Sequence, residues 1–278
     1  MKVEDCIVTV ERRTLGECVD LAFAFTREFA GPVLRIWVAC AVPSCLLVWL
    51  LTSRNTDMLL PSIIIFLVFS AIFSAVLTAA VGPQVFGVPM SLRAGFQAWL
   101  RHLPAWLLLT VVTRFFQCLS GFCFVLPSVI VTAYAGHFPE VLLLEQAPLK
   151  TVTARLKWLS AGGGSARNQG RLVSLFGYWF MMATSVFLMF EFVAGTVIGK
   201  PIFFARLMGN SSRFAETFAQ LVYDDPVFLT ALQLALWIPY PVIRLAWFFC
   251  YLDQRIRNEC WDLQVQLRAE AARLEQLA

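Results

Sequence analysis

The chain has 278 residues, of which 59% are hydrophobic and 14% are charged, and its formal net charge is +4. Soluble domains of ordinary composition carry roughly 25% charged residues, and a chain this apolar cannot hide its hydrophobic surface from water. The small net charge also argues against a nucleic-acid-binding protein. The composition therefore predicts a protein that lies in a lipid bilayer.

Six segments are long and apolar enough to span a bilayer, which requires about 20 residues in a helix. Acidic residues interrupt the N-terminal segment 1–13, so no cleavable signal is predicted. The membrane domain (14–252) is followed by a cytoplasmic helix (253–278). We predict an all-α polytopic membrane protein with six transmembrane helices in three hairpins, at about residues 33–52, 59–81, 103–120, 122–143, 172–194 and 226–252.

An amphipathic stretch precedes each odd-numbered span. The first begins with a capping box formed by Thr14 and Glu17. We expect three helices in the cytoplasmic membrane interface, with Trp99 and Trp158 at the level of the headgroups. Their predicted apolar faces are Leu15, Cys18, Val19, Ala22 and Phe29 in the first helix, Leu92, Phe96, Trp99 and Leu103 in the second, and Leu149, Val152, Leu156 and Leu159 in the third.

The basic residues predict the orientation of the chain, because lysine and arginine are enriched in cytoplasmic loops. Fifteen lie on the side that holds both termini and four lie on the other side. We therefore expect both termini in the cytoplasm and the segment 198–225 outside. The fifteen are Lys2, Arg12, Arg13, Arg27, Arg93, Arg101, Lys150, Arg155, Lys157, Arg167, Arg171, Arg255, Arg257, Arg268 and Arg273; the four are Arg54, Lys200, Arg206 and Arg213.

Two sets of charged residues are candidates for function. Three ionisable residues lie within predicted spans, where a charge is expensive and indicates function by default: Arg114, Glu191 and Arg244. Each also has a structural explanation, because it lies towards an end of its span, within reach of water or of the aromatic cluster 247–249. The second set is expected to contact lipid headgroups or a protein partner, and it consists of Arg155, Lys157, Arg167, Arg171, Arg255 and Arg257.

No catalytic, cofactor or metal motif is recognisable. One run of three glycines lacks the lysine of a phosphate-binding loop. The two histidines are His102 and His137, and His137 near Glu140 provides too few ligands for a metal site. We therefore predict no enzyme activity and no cofactor. Most of the cysteines are expected to be small buried hydrophobic residues, while a bond between Cys118 and Cys123 stays open.

The last span is followed directly by charged residues, without a Gly or Pro. Asp253 and Arg257 are four residues apart, as are Arg255 and Glu259, and this spacing pairs side chains on a helix. We therefore predict that the helix continues beyond the span. Four leucines of the tail then need to be covered, by the protein itself, by a second copy, by another protein or by the bilayer surface: Leu263, Leu267, Leu274 and Leu277.

Several motifs resemble the membrane domain associated with glycerophosphoryl diester phosphodiesterases and the related YciC-like bacterial inner-membrane proteins. They are Leu126-Pro127-Ser128, "VLLLEQAP" with Glu145, "ARLKWLSAGG" with Arg155 and Leu156, Arg171, and "YLDQRIRNECWDL" near the end. Ser128 and Cys260 stand where the family usually has glycine. The histidines and carboxylates of the phosphodiesterase domain itself are missing, so the resemblance implies a membrane architecture without that reaction.

The function predicted from these observations is a non-enzymatic membrane scaffold or accessory subunit. It would dock a protein partner, a second copy or membrane lipids at the cytoplasmic face. The alternative is a component of a transporter or permease for a small molecule or lipid. Each amphipathic stretch with the two spans that follow it forms a unit, and the three units repeat in the same orientation. Many carriers are built from inverted repeats instead, but carriers with parallel repeats exist. The sequence leaves both functions open.

Overall fold

A computed structural model describes residues 11–55, 57–85, 91–123, 125–161, 164–209 and 214–259. Over these ranges the chain forms helices, turns and connecting segments and no β-strand, which confirms the predicted all-α class. The helices are α1 (Leu15–Glu28), α2 (Ala30–Thr52), α3 (Leu59–Val85), α4 (Leu92–Arg101), α5 (Leu103–Cys123), α6 (Val125–Ala135), α7 (Phe138–Leu143), α8 (Leu149–Leu159), α9 (Gly164–Thr196), α10 (Phe204–Gly209), α11 (Phe214–Asp224), α12 (Pro226–Trp237) and α13 (Tyr240–Glu259).

Four parts of this structure are long and apolar enough to cross a membrane: α2, α3, α9 and the stretch Pro226–Glu259, which contains α12 and α13. Their exposed surface is largely apolar. In α2, for example, Leu34, Val38, Val42 and Leu46 are all exposed. A four-residue spacing places these side chains along one side of the helix, where lipid tails would cover them. The chain therefore has the helices of a multi-pass membrane protein.

The chain divides into two compact units. The first comprises Met1–Val33, Ser74–Leu175 and Arg244–Ala278. In this unit α5 packs against α6, and α7 packs against α8. The part of α13 from Leu245 to Leu252 is buried throughout, so polar groups that follow it on the same helix are held in a fixed position. The ion pairs around the end of α13 lie in this unit.

The second unit comprises Leu34–Phe73 and Phe176–Ile243. Its hydrophobic core consists of Val48, Phe187, Ile202, Phe228, Leu229 and Ala235. Polar contacts also join the helices of this unit. The Ser44 hydroxyl contacts the side chains of Gln233 and Trp237, at 2.5 and 3.2 Å, and the indole of Trp179 donates to the Leu236 carbonyl at 3.0 Å.

The amphipathic stretches predicted from the sequence form α1, α4 and α8. The capping box of α1 is confirmed: the Glu17 carboxylate accepts from the Thr14 backbone N–H at 2.6 Å, and the Thr14 hydroxyl accepts from the Glu17 backbone N–H at 3.4 Å. The buried face of α1 also contains Phe25, which is not part of the predicted apolar face. In α8 three of the four predicted residues are buried, whereas Leu149 is exposed.

The predicted spans differ from the helices in two places. The span predicted at 122–143 is interrupted, because α6 ends at Ala135 and α7 begins at Phe138. The span at 226–252 consists of α12 and the first part of α13, with a turn at residues 238–239. α13 then continues past residue 252 to Glu259, as predicted. The leucine stripe of the tail and the side chains of Cys118 and Cys123 lie outside the residues that the structure describes.

Candidate functional site

Two groups of ion pairs surround the end of α13. In the first, the buried Asp253 carboxylate accepts from the guanidinium groups of Arg171 and Arg257 and, at 2.8 Å, from the backbone N–H of Arg13. Arg171 and Arg257 also donate to the Arg13 carbonyl, at 3.3 and 3.1 Å. This Asp253 group therefore joins the segment before α1, the start of α9 and the end of α13.

The second group is built around Glu145. Its carboxylate accepts from Arg155 at 2.6 Å and from the Tyr251 hydroxyl at 2.6 Å. Glu259 in turn accepts from Arg155 and, at 2.8 Å, from Arg255. Burial alone would lower the pKa of Arg155, but its bonds to Glu145 and Glu259 outweigh burial and raise that pKa above its ordinary value. This Glu145 group joins α8 to α13.

A third set of polar side chains lies deeper in the first unit, and we call it the buried polar cluster. It consists of His137, Glu140, Asn168, Arg244 and Gln254, each at most 6% exposed. Arg244 donates to Glu140 Oε1 at 2.5 Å, and it also donates to hydroxyl groups of α3. Gln254 donates to the side chain of Asn168. Opposite charges within predicted spans are thus brought together.

The histidine of the cluster is held between aromatic rings. The ring of His137 stacks on that of Trp247, with centroids 4.3 Å apart and planes 13° apart. The indole N–H of Trp247 donates to the carbonyl of Gly136 at 3.1 Å. A Cβ atom on Gly136 would lie 2.8 Å from the Trp247 ring, so glycine is required for this close approach. The side chain of Asn168 and the guanidinium groups of Arg244 and Arg171 all lie near enough to interact with the His137 ring.

Several polar atoms of the cluster have no hydrogen-bond partner of normal geometry among the described residues. They are both ring nitrogens of His137, Oε2 of Glu140, Nη1 of Arg244 and Oε1 of Gln254. Native proteins leave few buried polar atoms unsatisfied, and each such atom costs about 1–3 kcal/mol. A concentration of them in one place makes the cluster a candidate site for ordered water or for a polar molecule.

The interruption between α6 and α7 lies at this cluster. His137 is in the turn and Glu140 is in the first turn of α7. Within a bilayer, broken helices occur where the backbone is buried in protein or lines a polar cavity. Discontinuous helices also form the binding sites of many transporters. The helix interruption and the unsatisfied atoms are two independent features of the same place.

The structure assigns different surroundings to the nine residues singled out in the sequence. Arg244 belongs to the buried polar cluster. Glu191 accepts three backbone N–H groups before and at the start of α10, at 2.8–2.9 Å. Arg114 donates to Gln117 at 3.1 Å. Lys157 and Arg167 are exposed. The four remaining residues are arginines that form the ion pairs described above: Arg155, Arg171, Arg255 and Arg257.

One feature of the sequence could have predicted part of the cluster. Glu140 and Arg244 carry opposite charges, and both lie in predicted spans, where charges pair with one another. The pair was missed because 104 residues separate the two. Among the described residues, no group of three or more His, Cys, Asp or Glu side chains could hold a metal ion.

Comparison with known proteins identifies no relative: no family model, no curated protein and no solved structure matches this chain. The resemblance to the phosphodiesterase-associated membrane domain therefore stays a prediction. Any proposal about function therefore depends on the arrangement of the side chains described above.

Proposed function

We propose that the protein is a component of a transporter or permease, in which the buried polar cluster binds a small polar solute within the membrane. The proposal includes six spans in three hairpins, both termini in the cytoplasm and a location in the inner (plasma) membrane. It assigns no enzymatic reaction. One observation carries it: buried ionisable side chains with unsatisfied polar atoms lie where a predicted span is interrupted.

The energetics of the cluster support this function. A buried ion pair is often no more stable than well-packed hydrophobic residues, so stability alone is a weak reason for placing Arg244 and Glu140 in a membrane domain. The unsatisfied atoms add a further unfavourable contribution. A polar solute or water that bonds to these atoms would offset both contributions. Binding therefore explains why the charges are there.

The accessibility of the cluster to water tests the proposal. Thr78 is buried and its hydroxyl lies 2.8 Å from Nη2 of Arg244. In a variant without native cysteines, Thr78→Cys should react with a small charged methanethiosulfonate reagent, because polar molecules reach the site. Val76→Cys is the matched control, since Val76 is equally buried but lies two residues away, on the other side of α3.

We expect labelling of Thr78→Cys and none of Val76→Cys in the same folded preparation. Labelling should also fall when the reagent competes with a solute that the protein recognises. Failure of both variants to react, from either side of the membrane, would contradict the proposal and make the cluster a closed structural element.

The scaffold function is the second proposal, and the exposed side of α8 favours it. Lys157 is exposed there, Trp158 is 40% exposed, and Arg167 is exposed at the start of α9. Basic and aromatic residues together are typical of a helix at a membrane interface. Each cation near anionic headgroups contributes about 1 kcal/mol. These two cations remain available for lipid or an acidic partner, whereas the four paired arginines contact groups of the chain itself.

Charge reversal separates this second proposal from the first. The double variant Lys157→Glu/Arg167→Glu should co-purify with less phosphatidylglycerol, as measured by native mass spectrometry in mild detergent. The control is Lys200→Glu, at an exposed position predicted to lie on the opposite face. Equal lipid retention in all three proteins would remove the support for docking at α8.

A further inference from the structure

Two cysteines of the first unit lie in contact across a pair of helices. Cys18 belongs to the buried face of α1, and Cys250 belongs to the buried part of α13. Both residues are 0% exposed, and the Cys250 thiol donates a hydrogen bond to the sulfur of Cys18. A single buried cysteine usually acts as a small hydrophobic residue. A second thiol within hydrogen-bond distance allows these two to react with each other.

Contacts on both sides of the thiols hold α1 beside α13. Before α1, the backbone N–H of Arg13 donates to Asp253 at 2.8 Å. Later in α1, the ring of Phe25 meets the ring of Phe249 edge-on, with centroids 5.8 Å apart. Residue numbers rise along α1 while those of the contact partners fall along α13, so the two segments run in opposite directions. The cysteines lie between these two contacts, and the thiols are therefore part of an extended interface.

A guanidinium group lies near both thiols. Arg171 acts electrostatically on the two sulfur atoms, and it donates to the Cys250 carbonyl at 3.3 Å. The hydrogen bond from Cys250 is the main reason that the pKa of Cys18 is lower than its ordinary value. Arg171 and Arg13 add to this effect, whereas burial and the Asp253 carboxylate oppose it. The thiolate is the reactive form of cysteine, so Cys18 is the better nucleophile of the two.

Burial determines which oxidants can reach the pair. Both side chains are covered by protein, so a protein oxidant or a bulky reagent is excluded, whereas hydrogen peroxide is small and uncharged. A peroxide oxidises a thiolate to a sulfenic acid, which condenses with a neighbouring thiol to a disulfide. The sulfur atoms of a disulfide are about 2.05 Å apart. Thiols that already share a hydrogen bond need only a short further approach.

We propose that Cys18 and Cys250 are a modification site, at which hydrogen peroxide forms a reversible disulfide between α1 and α13. The Cys18 thiolate attacks the O–O bond, an S–O bond forms, and the hydroxide that leaves takes up the thiol proton to become water. The sulfur of Cys250 then attacks the sulfenic sulfur, the S–S bond forms and a second water molecule leaves. The two thiols lose two electrons in total, and these electrons reduce the peroxide to water.

The chain contains its own control pair. Cys40 and Cys45 both lie in α2, but a spacing of five residues places their side chains about 140° apart around the helix axis, so they cannot form a disulfide with each other. A four-cysteine variant retains this control pair and the proposed pair. Its four remaining cysteines are replaced by alanine: Cys6, Cys118, Cys123 and Cys260.

The experiment treats this full-length variant with hydrogen peroxide in lipid nanodiscs. Remaining thiols are then blocked with N-ethylmaleimide in denaturant, and the digest is analysed by mass spectrometry. We expect a peptide that links Cys18 to Cys250, a severalfold loss of alkylation of both residues in equal proportion, and its recovery with dithiothreitol. No peptide should link Cys40 to Cys45. Adding Cys18→Ser should abolish the link and leave Cys250 open to alkylation.

Cys18 and Cys250 that stay alkylated after peroxide treatment, or that are oxidised separately without a linked peptide, would overturn the modification site. If the four-cysteine variant does not fold, the same peptide is sought in the unaltered chain, where its absence has the same meaning.

The inference goes beyond the proposed function and does not depend on it. Thr78→Cys is labelled in a variant without native cysteines, so the two experiments have separate outcomes. Labelling of Thr78→Cys without a disulfide would keep the proposed function and contradict the modification site. A disulfide without labelling would do the reverse.

Discussion

Two carboxylates in predicted spans have opposite surroundings. Glu191, in the second unit, accepts three backbone N–H groups, which use both of its oxygens. Glu140, in the first unit, is completely buried, and among the described residues only one of its oxygens has a hydrogen-bond partner, Arg244. A carboxylate that caps the chain's own backbone has a structural role. A carboxylate that retains an unsatisfied oxygen beside other unsatisfied atoms fits the proposed binding role.

The comparison extends to the arginines. Arg206 forms an ion pair with Asp225 in the second unit and is 43% exposed, so water solvates it. Arg244 is 6% exposed and depends on Glu140, Ser74 and Thr78 for every hydrogen bond that its described surroundings provide. The same residue type thus has a surface role in one unit and a buried role in the other.

Removal of Arg244 should have the largest effect on stability. Arg244→Leu leaves the Glu140 charge buried and uncompensated, which costs about 3–5 kcal/mol. The double variant Arg244→Leu/Glu140→Leu should recover most of this loss, because no buried charge remains. Unfolding of the full chain in mild detergent measures the loss of stability in the single and the double variant. Arg206→Leu is the control, for which we expect a loss of about 0–1 kcal/mol. Equal losses for Arg244→Leu and Arg206→Leu would contradict the difference between a buried and an exposed arginine.

Glu191→Ala should have the next largest effect. It leaves three backbone N–H groups without their acceptor. Two of these bonds are partly buried and the third is exposed, so water replaces part of the lost bonding. We therefore expect a total loss of about 1–3 kcal/mol. Glu191→Gln keeps one acceptor oxygen and should recover part of the loss. Thermal unfolding provides the measurement. Neither variant should change the labelling of Thr78→Cys, and a change there would give Glu191 a functional role as well.

Disruption of the capping box of α1 should have the smallest effect on stability. The carboxylate of this box, Glu17, lies at the surface. Hydrogen bonds from the backbone and side chain of Thr14 lower the pKa of Glu17 below its ordinary value. A lowered folded-state pKa gives stability that is present above the unfolded-state pKa and is lost as pH falls through the folded-state value. Thr14→Ala should cost about 1 kcal/mol and weaken this pH dependence.

Unfolding measured at several pH values on the acidic side tests this prediction, with Glu17→Gln as the matched variant that cannot titrate. The stabilities of the wild type and Glu17→Gln should converge as the pH falls. A gap between them that stays constant with pH would show that the charge of Glu17 contributes nothing.

Local features were predictable from the sequence, whereas contacts between distant segments were not. The capping box and the ion pairs Asp253–Arg257 and Arg255–Glu259 depend only on three- or four-residue spacing, and all three are present. The all-helical membrane class was also predictable, because it followed from the apolar composition. The Glu145 and Asp253 groups, by contrast, join residues that are distant in the chain, and no spacing rule relates them.

The candidate site shows the same limit. His137, Glu140 and Arg244 were each noticed in the sequence, but each was explained separately. The interruption at residues 136–137 was not predicted, because the hydropathy of 122–143 is continuous across it. Trp247 packs against both residues of the interruption, Gly136 and His137, and this contact joins distant parts of the chain. The preference for a solute-binding site over a scaffold follows from this grouping of residues, which the sequence alone did not provide.

The most direct test of the account is an experimental structure of the full chain in a lipid environment, at a resolution that shows ordered water. The account predicts density for water or a small solute within hydrogen-bond distance of Oε2 of Glu140 and Nη1 of Arg244, and of at least one ring nitrogen of His137. If these atoms are instead bonded to protein groups in a closed network, the cluster is structural and the proposed binding site is contradicted.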